Sequence, residues 1–319
     1  MNGSPDLGSN KNNRFHEART AGRVVLILAL MGMTAPSRAD VFNMTNGCTS
    51  LVFVVVGNAG NTADENGRGS VTNIFKMAKY EVTSAQYCEF LNAVAQTDTY
   101  ALYSQTMVIS DQGCKVGRTG LPGSYSYTIA ADRRDRPVNF ISWGDAARFC
   151  NWLANGQPTG AQSMATTEDG AYYLNGKNSD AQLMTVVRKS DATFFIPTED
   201  EWYKAAYYDP DLNGSTGGYW YFPTKSQGTN PPTAQGPPGD AEPPGSANWY
   251  DGSFVDPTYI QTTVGAYTSS PSPYGTFDQG GNIAEWNETP FDAANRVIRG
   301  GSFGDAVTEL AATTRDQAP

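Results

Sequence analysis

The chain has 319 residues, 39% hydrophobic and 12% aromatic, enough apolar side chain to bury a substantial core in one large domain or two smaller ones. A formal charge of -10 and the lack of any basic stripe exclude nucleic acid as a partner, since phosphate binding needs clustered Lys and Arg. With 33 glycines and 19 prolines against 17% charged residues, the composition points to many turns and long ordered loops over short elements, not to a helical bundle.

At the N-terminus, Arg19 and Arg23 precede an apolar run from Val24 to Met33, followed by Ser37-Arg38-Ala39. This is the pattern of a secretory signal peptide over 1–39, with the mature chain beginning near Asp40; an uncleaved membrane anchor is the alternative, disfavoured by the shortness of the run. The expected location is therefore secreted, periplasmic or cell-surface, with no membrane attachment after cleavage. The only histidine, His16, falls upstream of the cut. A mature chain without imidazole is excluded from Ser-His-Asp and Cys-His catalysis and from histidine-ligated metal sites.

Three stretches then read as short helices, each opened by a Ser or Thr with a reciprocating side chain three residues on. Thr83 to Gln86 opens the first, with Tyr87, Phe90, Leu91 and Val94 on one face. Ser142 to Asp145 opens the second, with Ala146, Phe149, Cys150 and Leu153 inward, and Thr198 to Glu201 opens the third, carrying Trp202, Ala205 and Ala206. The acids Glu199, Asp200 and Glu201 look like a catalytic cluster, but the first turn of a helix is where the macrodipole favours carboxylates. Short runs at Leu51 to Val56, Phe75 to Val82 and Arg296 to Arg299 read as strands. The Pro- and Gly-rich stretch 224–247 reads as an irregular surface loop, an inter-domain linker being the alternative.

Five motifs follow one another in order: K-Y-E-V-T-S-A-Q-Y from Lys79, R-P-V-N-F-I-S-W-G-D-A from Arg136, I-P-T-E-D-E-W from Ile196, G-G-N-I-A-E-W from Gly280 and R-G-G-S-F from Arg299. Together they resemble the formylglycine-generating enzyme, or sulfatase-modifying factor, family over roughly residues 52 to 316. The resemblance implies an α+β fold of the C-type-lectin-like kind, low in regular secondary structure, with three short helices packed on small antiparallel sheets. It implies a single domain over 40–319. The family usually continues to a closing Gly-Phe-Arg strand, so a chain ending at Pro319 reads as C-terminally incomplete.

The same resemblance implies calcium at Asp278, Gly281, Ile283 and Glu285, the two acids through their side chains and the other two through their carbonyls. Oxygen donors converging on a glycine-containing turn suit that hard cation, a simple turn with solvated acids being the alternative. A second calcium position maps near Asn248 and Trp249. In the catalytic members two copper-binding cysteines follow the Gly-Gly-Ser-aromatic motif, and here Asp305 and Leu310 stand in their places. An acid and a leucine cannot supply the thiolate pair that holds copper, so no catalytic residue is assigned.

Cys48, Cys88, Cys114 and Cys150 form no C-x-x-C pair, and an oxidising compartment favours disulfides. Cys88 and Cys150, both on helices, are the candidates for a bridge, with separate buried thiols as the alternative. Cys114-Lys115-Val116-Gly117-Arg118 departs from the Cys-x-Pro-x-Arg target of the catalytic enzymes, with Val116 at the proline position. The functional expectation is an exported, non-catalytic module that binds a protein or carbohydrate ligand or serves a structural role, stabilised by calcium. The competing expectation is a copper-dependent oxidase that converts a target cysteine to formylglycine; an iron-dependent transferase would need histidines the mature chain lacks.

Overall fold

The computed structural model describes residues 51–236 and 245–319, together with the backbone of two short strands, β1 (Arg23–Val25) and β2 (Ala29–Met31). His16, the cleavage motif at 37–39 and Cys48 lie outside the described residues. The first well-packed elements are β3 (Phe53–Val56) and β4 (Phe75–Ala78), antiparallel partners that occupy the end of the first predicted strand and the start of the second. β2 pairs with β4 on its other edge.

All three predicted helices form, and each is opened by the reciprocal bonds its sequence encodes. In α1 (Ser84–Val94) the Thr83 hydroxyl accepts from the Gln86 amide while Gln86 accepts from the Thr83 amide at 2.9 Å. The same exchange links Ser142 with Asp145 and Thr198 with Glu201 at the starts of the two longer helices that follow. Each such cap satisfies amides that would otherwise be orphaned, worth about 1 kcal/mol. α2 (Thr106–Ile109) is a single turn that sequence periodicity does not reveal. β5 (Gly117–Thr119) and β6 (Ser126–Thr128) form a small hairpin packed on α1.

α1 crosses α3 (Trp143–Ala154) through aromatic side chains. Phe90 meets Phe149 edge-on at 5.2 Å and also lies against Tyr87 and Trp152. Such contacts add about 0.5–1.5 kcal/mol per pair beyond burial. Further one-turn helices, α4 (Asp180–Leu183) and α6 (Leu212–Ser215), flank α5 (Glu199–Tyr207), so the described residues hold more helices than the three expected.

Two-residue ladders link β7 (Tyr208–Asp209) with β8 (Gly218–Tyr219), and β9 (Thr233–Ala234) with β10 (Ser246–Ala247). The second ladder corrects the reading of 224–247 as wholly irregular: a short parallel pairing brings the two sides of the loop together, because Thr233 and Ala234 fall between the proline pairs and keep their amides. β11 (Ala284–Pro290), β12 (Arg296–Arg299) and β13 (Asp316–Ala318) form the second principal sheet, with β1 parallel to β11 at its edge. β13 pairs with β12, Arg296 opposite Ala318 and Ile298 opposite Asp316. β1 and β2 both occupy sheet edges, so a chain cut near Asp40 would keep every pairing among the remaining strands.

The expected bridge between Cys88 and Cys150 does not form. Cys88, Cys114 and Cys150 are buried thiols, and the two candidates face different surroundings. Cys88 lines an open recess with Asn92 and Tyr127, whereas Cys150 sits in the interior within electrostatic reach of Glu288 and Arg188. Helical spacing puts both on buried faces, but a disulfide also needs Cβ atoms about 3.5–4.5 Å apart and pointing together.

Candidate functional site

The stretch entering β11 is a tightly wound turn. Asp278, Gly281 and Asn282 all adopt left-handed backbone, at φ 62°, 86° and 57°. Asp and Asn tolerate this conformation and Gly adopts it freely. Gly281 is required for a second reason: a Cβ there would lie 2.4 Å from the carbonyl oxygen of Asn248. That carbonyl accepts from the Asn282 amide at 2.7 Å, and the Gly281 amide donates to the carbonyl of Gly300 at 2.9 Å. Gly300 is constrained likewise, since a Cβ would approach the Gln279 carbonyl to 2.7 Å.

The turn brings Asp278, Gly281, Ile283 and Glu285 into one short segment, and it also brings Asn248 against them. The Asn282 carboxamide is the centre of the contacts. Its Oδ1 accepts from Asn248 Nδ2 at 3.2 Å and from the Thr262 amide at 2.9 Å, while its Nδ2 donates to Glu81 at 3.0 Å. The two positions proposed from sequence for calcium are thus neighbours in space. Trp249 points its indole to the Pro232 carbonyl, and Asp256, in the adjoining stretch, pairs with Arg136 at 3.2 Å.

Glu285 is fully buried. Its Oε2 accepts from the indole N–H of Trp202, and its Oε1 has no hydrogen-bond partner among the described residues. Burial, and secondarily the charge of Asp278, push its carboxyl well above the usual range despite the indole bond. Asn248 Oδ1 is a second buried oxygen without a partner. Buried oxygens are normally satisfied by protein, water or an ion, so both of these are open to a further partner. Among the described residues no three Asp, Glu, His or Cys side chains gather at metal-binding distance. The oxygens at the turn are carboxylate and carbonyl-type donors, the kind that suits a hard cation.

The positions of the family's cysteine pair lie elsewhere, beside a cleft of about 150 Å³ lined by Arg299, Gly301, Glu309 and Arg315 among others. Asp305 closes a turn, its Oδ2 accepting from the Ser302 amide at 3.0 Å and the Ser302 hydroxyl at 2.7 Å. Leu310 is fully buried against Phe222, Ala247 and Ala311, and its carbonyl accepts from Tyr207 Oη at 3.0 Å. One position carries a hard oxygen donor already engaged, and the other carries no donor at all. These residues do not fit copper, which favours soft thiolates.

Next to this cleft the structure reveals a charge centre that the sequence reading passed over. Glu199, in the first turn of α5 as expected, is buried and bound by three arginines. Arg299 contacts Oε1 through Nε at 2.9 Å, Arg315 spans both oxygens at 2.8 Å, and Arg68 reaches Oε2 at 2.9 Å. Burial alone would raise the Glu199 pKa, but the bonds from Arg315 and Arg299, with Arg68 adding its charge, outweigh it and hold the carboxyl below its ordinary value. The partners come from positions 68, 299 and 315, so no local spacing announces them. The neighbouring acids have separate duties: Asp200 accepts the Gly69 amide at 2.8 Å, and Glu201 caps its helix and pairs with Arg188 at 3.1 Å.

The family model of the sulfatase-modifying factor enzyme 1-like domain matches residues 38–319, and the chain belongs to that family. Among solved structures it is similar to CarF, at 18% identity and a TM-score of 0.47 over 92% of each chain. Variable protein 1 of Treponema denticola is 18% identical with a TM-score of 0.45, covering 88% of this chain and 92% of that one. PvdO from Pseudomonas aeruginosa is 16% identical with a TM-score of 0.40, covering 89% of this chain and 94% of that one. No curated protein matches the sequence.

Proposed function

We propose that this domain is an exported, non-catalytic member of its family, a ligand-binding or structural module stabilised by calcium at the turn that opens β11. The observation that carries the non-catalytic reading is the pair Asp305 and Leu310, one locked in a turn and the other packed into an apolar cluster, where a copper-binding thiolate pair would be needed. Two of the three described thiols offer no substitute. Cys114 and Cys150 are wholly buried, with burial as the main cause raising each pKa above the usual thiol value, which disfavours the reactive thiolate.

Calcium is supported by the unpartnered oxygens of Glu285 and Asn248 and by the left-handed turn beside them. Added calcium is expected to raise the melting temperature of the metal-stripped protein, and Asp278→Ala or Glu285→Ala to abolish that rise. An unmutated protein whose melting point ignores millimolar calcium would remove the site. Export is supported by the basic, apolar and small-residue order of 19–39. N-terminal sequencing of the secreted chain is expected to begin at or near Asp40, and recovery of a chain that still carries residues 1–39 would count against cleavage. The ligand class that agrees with the acidic composition is a protein or carbohydrate.

A further inference from the structure

Arg296 opens β12 and is 3% exposed, yet its guanidinium is bonded to no acid. Its Nη2 donates to the carbonyls of Leu183 and Val186, each at 2.9 Å, and its Nη1 donates to the carbonyl of Glu288. Its Nε has no partner among the described residues. The group lies over the Trp143 ring, 3.7 Å from the centroid, and although burial lowers its pKa to about 10 it stays charged at neutral pH. A buried cation held only by neutral groups lacks the counter-charge that normally accompanies one.

The same side chain lines an open cavity of about 260 Å³ between the segment 184–188, the start of α5 and the end of β11. Thr198 and Thr289 bring hydroxyls to this lining. Each oxygen already accepts a backbone amide, from Glu201 at 3.1 Å and from Glu199 at 2.9 Å, and neither gives its proton to an acceptor among the described residues. A hydroxyl carries one proton beside its lone pairs, so both remain donors. Glu288 is the one acid on the lining, and it is engaged: Oε1 faces Arg188 Nε at 3.2 Å and Oε2 accepts from Tyr172 Oη at 2.9 Å. Burial raises its carboxyl to about 7, so at pH 6 it is mostly protonated and opposes an anion little. The rest of the wall is apolar, with Met184 and Val186 inside and Val187, 79% exposed, at the rim.

We propose that this cavity binds a small aliphatic carboxylate, with Arg296 balancing its charge, the Thr198 and Thr289 hydroxyls donating to its oxygens, and its chain lying on Met184, Val186 and Val187. Donors without acceptors and a cation without a counter-charge select an acceptor-rich anion, and the apolar wall selects a hydrocarbon body over an inorganic ion. The volume has room for roughly nine water-sized groups, which suits a chain of about six carbons. The inference is independent of the calcium reading, because no proposed calcium ligand lines the cavity.

The test is titration of the protein at pH 6 with hexanoate, followed by ligand-observed NMR, with hexylamine and sulfate as comparison ligands. Hexanoate is expected to saturate one site and to bind at least roughly 10-fold more tightly than either. Val187→Asp, a change at the exposed rim, is expected to weaken hexanoate roughly 10-fold, whereas Val187→Lys, of opposite charge, is expected to preserve or strengthen it. Arg296→Met, which keeps an apolar stem on Trp143, is expected to abolish binding; should it fail to fold, the Val187 pair carries the test. No saturable hexanoate binding, or hexylamine or sulfate binding as tightly, overturns the proposal. Equal weakening by Val187→Asp and Val187→Lys, or full affinity in a folded Arg296→Met protein, overturns it as well.

Discussion

Replacing Glu199 with alanine is expected to destabilise the domain by about 3–5 kcal/mol, the usual cost of removing one partner from a buried ion pair. Arg299 is the reason for the size of the effect, because its side chain is fully buried and would be left with the carbonyls of Ala312 and Thr314 and the Tyr203 ring, none of them a counter-charge. Arg68 and Arg315 are 29% and 26% exposed, and water can receive their charges. The loss propagates, since Arg315 directly precedes β13 and its bond to Glu199 anchors the approach to that strand. Urea titration of the variant is the measurement. Asp200→Ala, which removes one exposed-side bond to the Gly69 amide, is the control and is expected to cost about 1 kcal/mol. A Glu199→Ala loss no larger than the control's would show that the three arginines contribute little to folding.

The second large effect is a pH dependence centred on Glu288. Burial, with the nearby charge of Glu201 adding to it, raises this carboxyl from 4.5 to about 7 against the opposing pull of Arg188 and the bond from Tyr172 Oη. The folded state therefore holds a proton that the unfolded chain has released between these values. The resulting stabilisation is complete below about pH 4.5 and lost as pH rises through about 7, amounting to as much as about 3 kcal/mol at roughly 1.4 kcal/mol per unit. Glu288→Gln, which keeps an acceptor for Tyr172, is expected to flatten the fall in melting temperature between pH 5 and 8. Asp145, raised by burial to about 6, and Glu285, pushed by burial well above the usual range, contribute slopes of the same sign that the variant retains. A Glu288→Gln protein with the original pH profile would show that this carboxyl is ionised in the fold throughout.

How far the sequence could be read follows from where each signal lies. The three longer helices are legible because their caps and apolar faces are local: Thr83 with Gln86, Ser142 with Asp145, and Thr198 with Glu201. One-turn helices such as Thr106–Ile109 are too short to display a 3.6-residue period. β11 escapes notice because Ala284 to Asn287 are buried in succession, polar residues included, which erases the alternation of a half-buried strand. Asp278 to Glu285 are close in sequence and could be gathered into one candidate turn. Glu81 and Asn248 reach that turn only through the fold, by way of the Asn282 carboxamide. The same limit hides the Glu199 centre and misdirected the disulfide, since a helical stripe says that Cys88 and Cys150 are buried but not that they face one another.

The central claim concerns Asp305 and Leu310, and it predicts a chemical silence. The purified protein, loaded with copper(I) and incubated in oxygen with a Cys-x-Pro-x-Arg peptide, is expected to leave the peptide cysteine unconverted in the mass spectrum. A peptide aldehyde formed in proportion to enzyme and time would contradict the account.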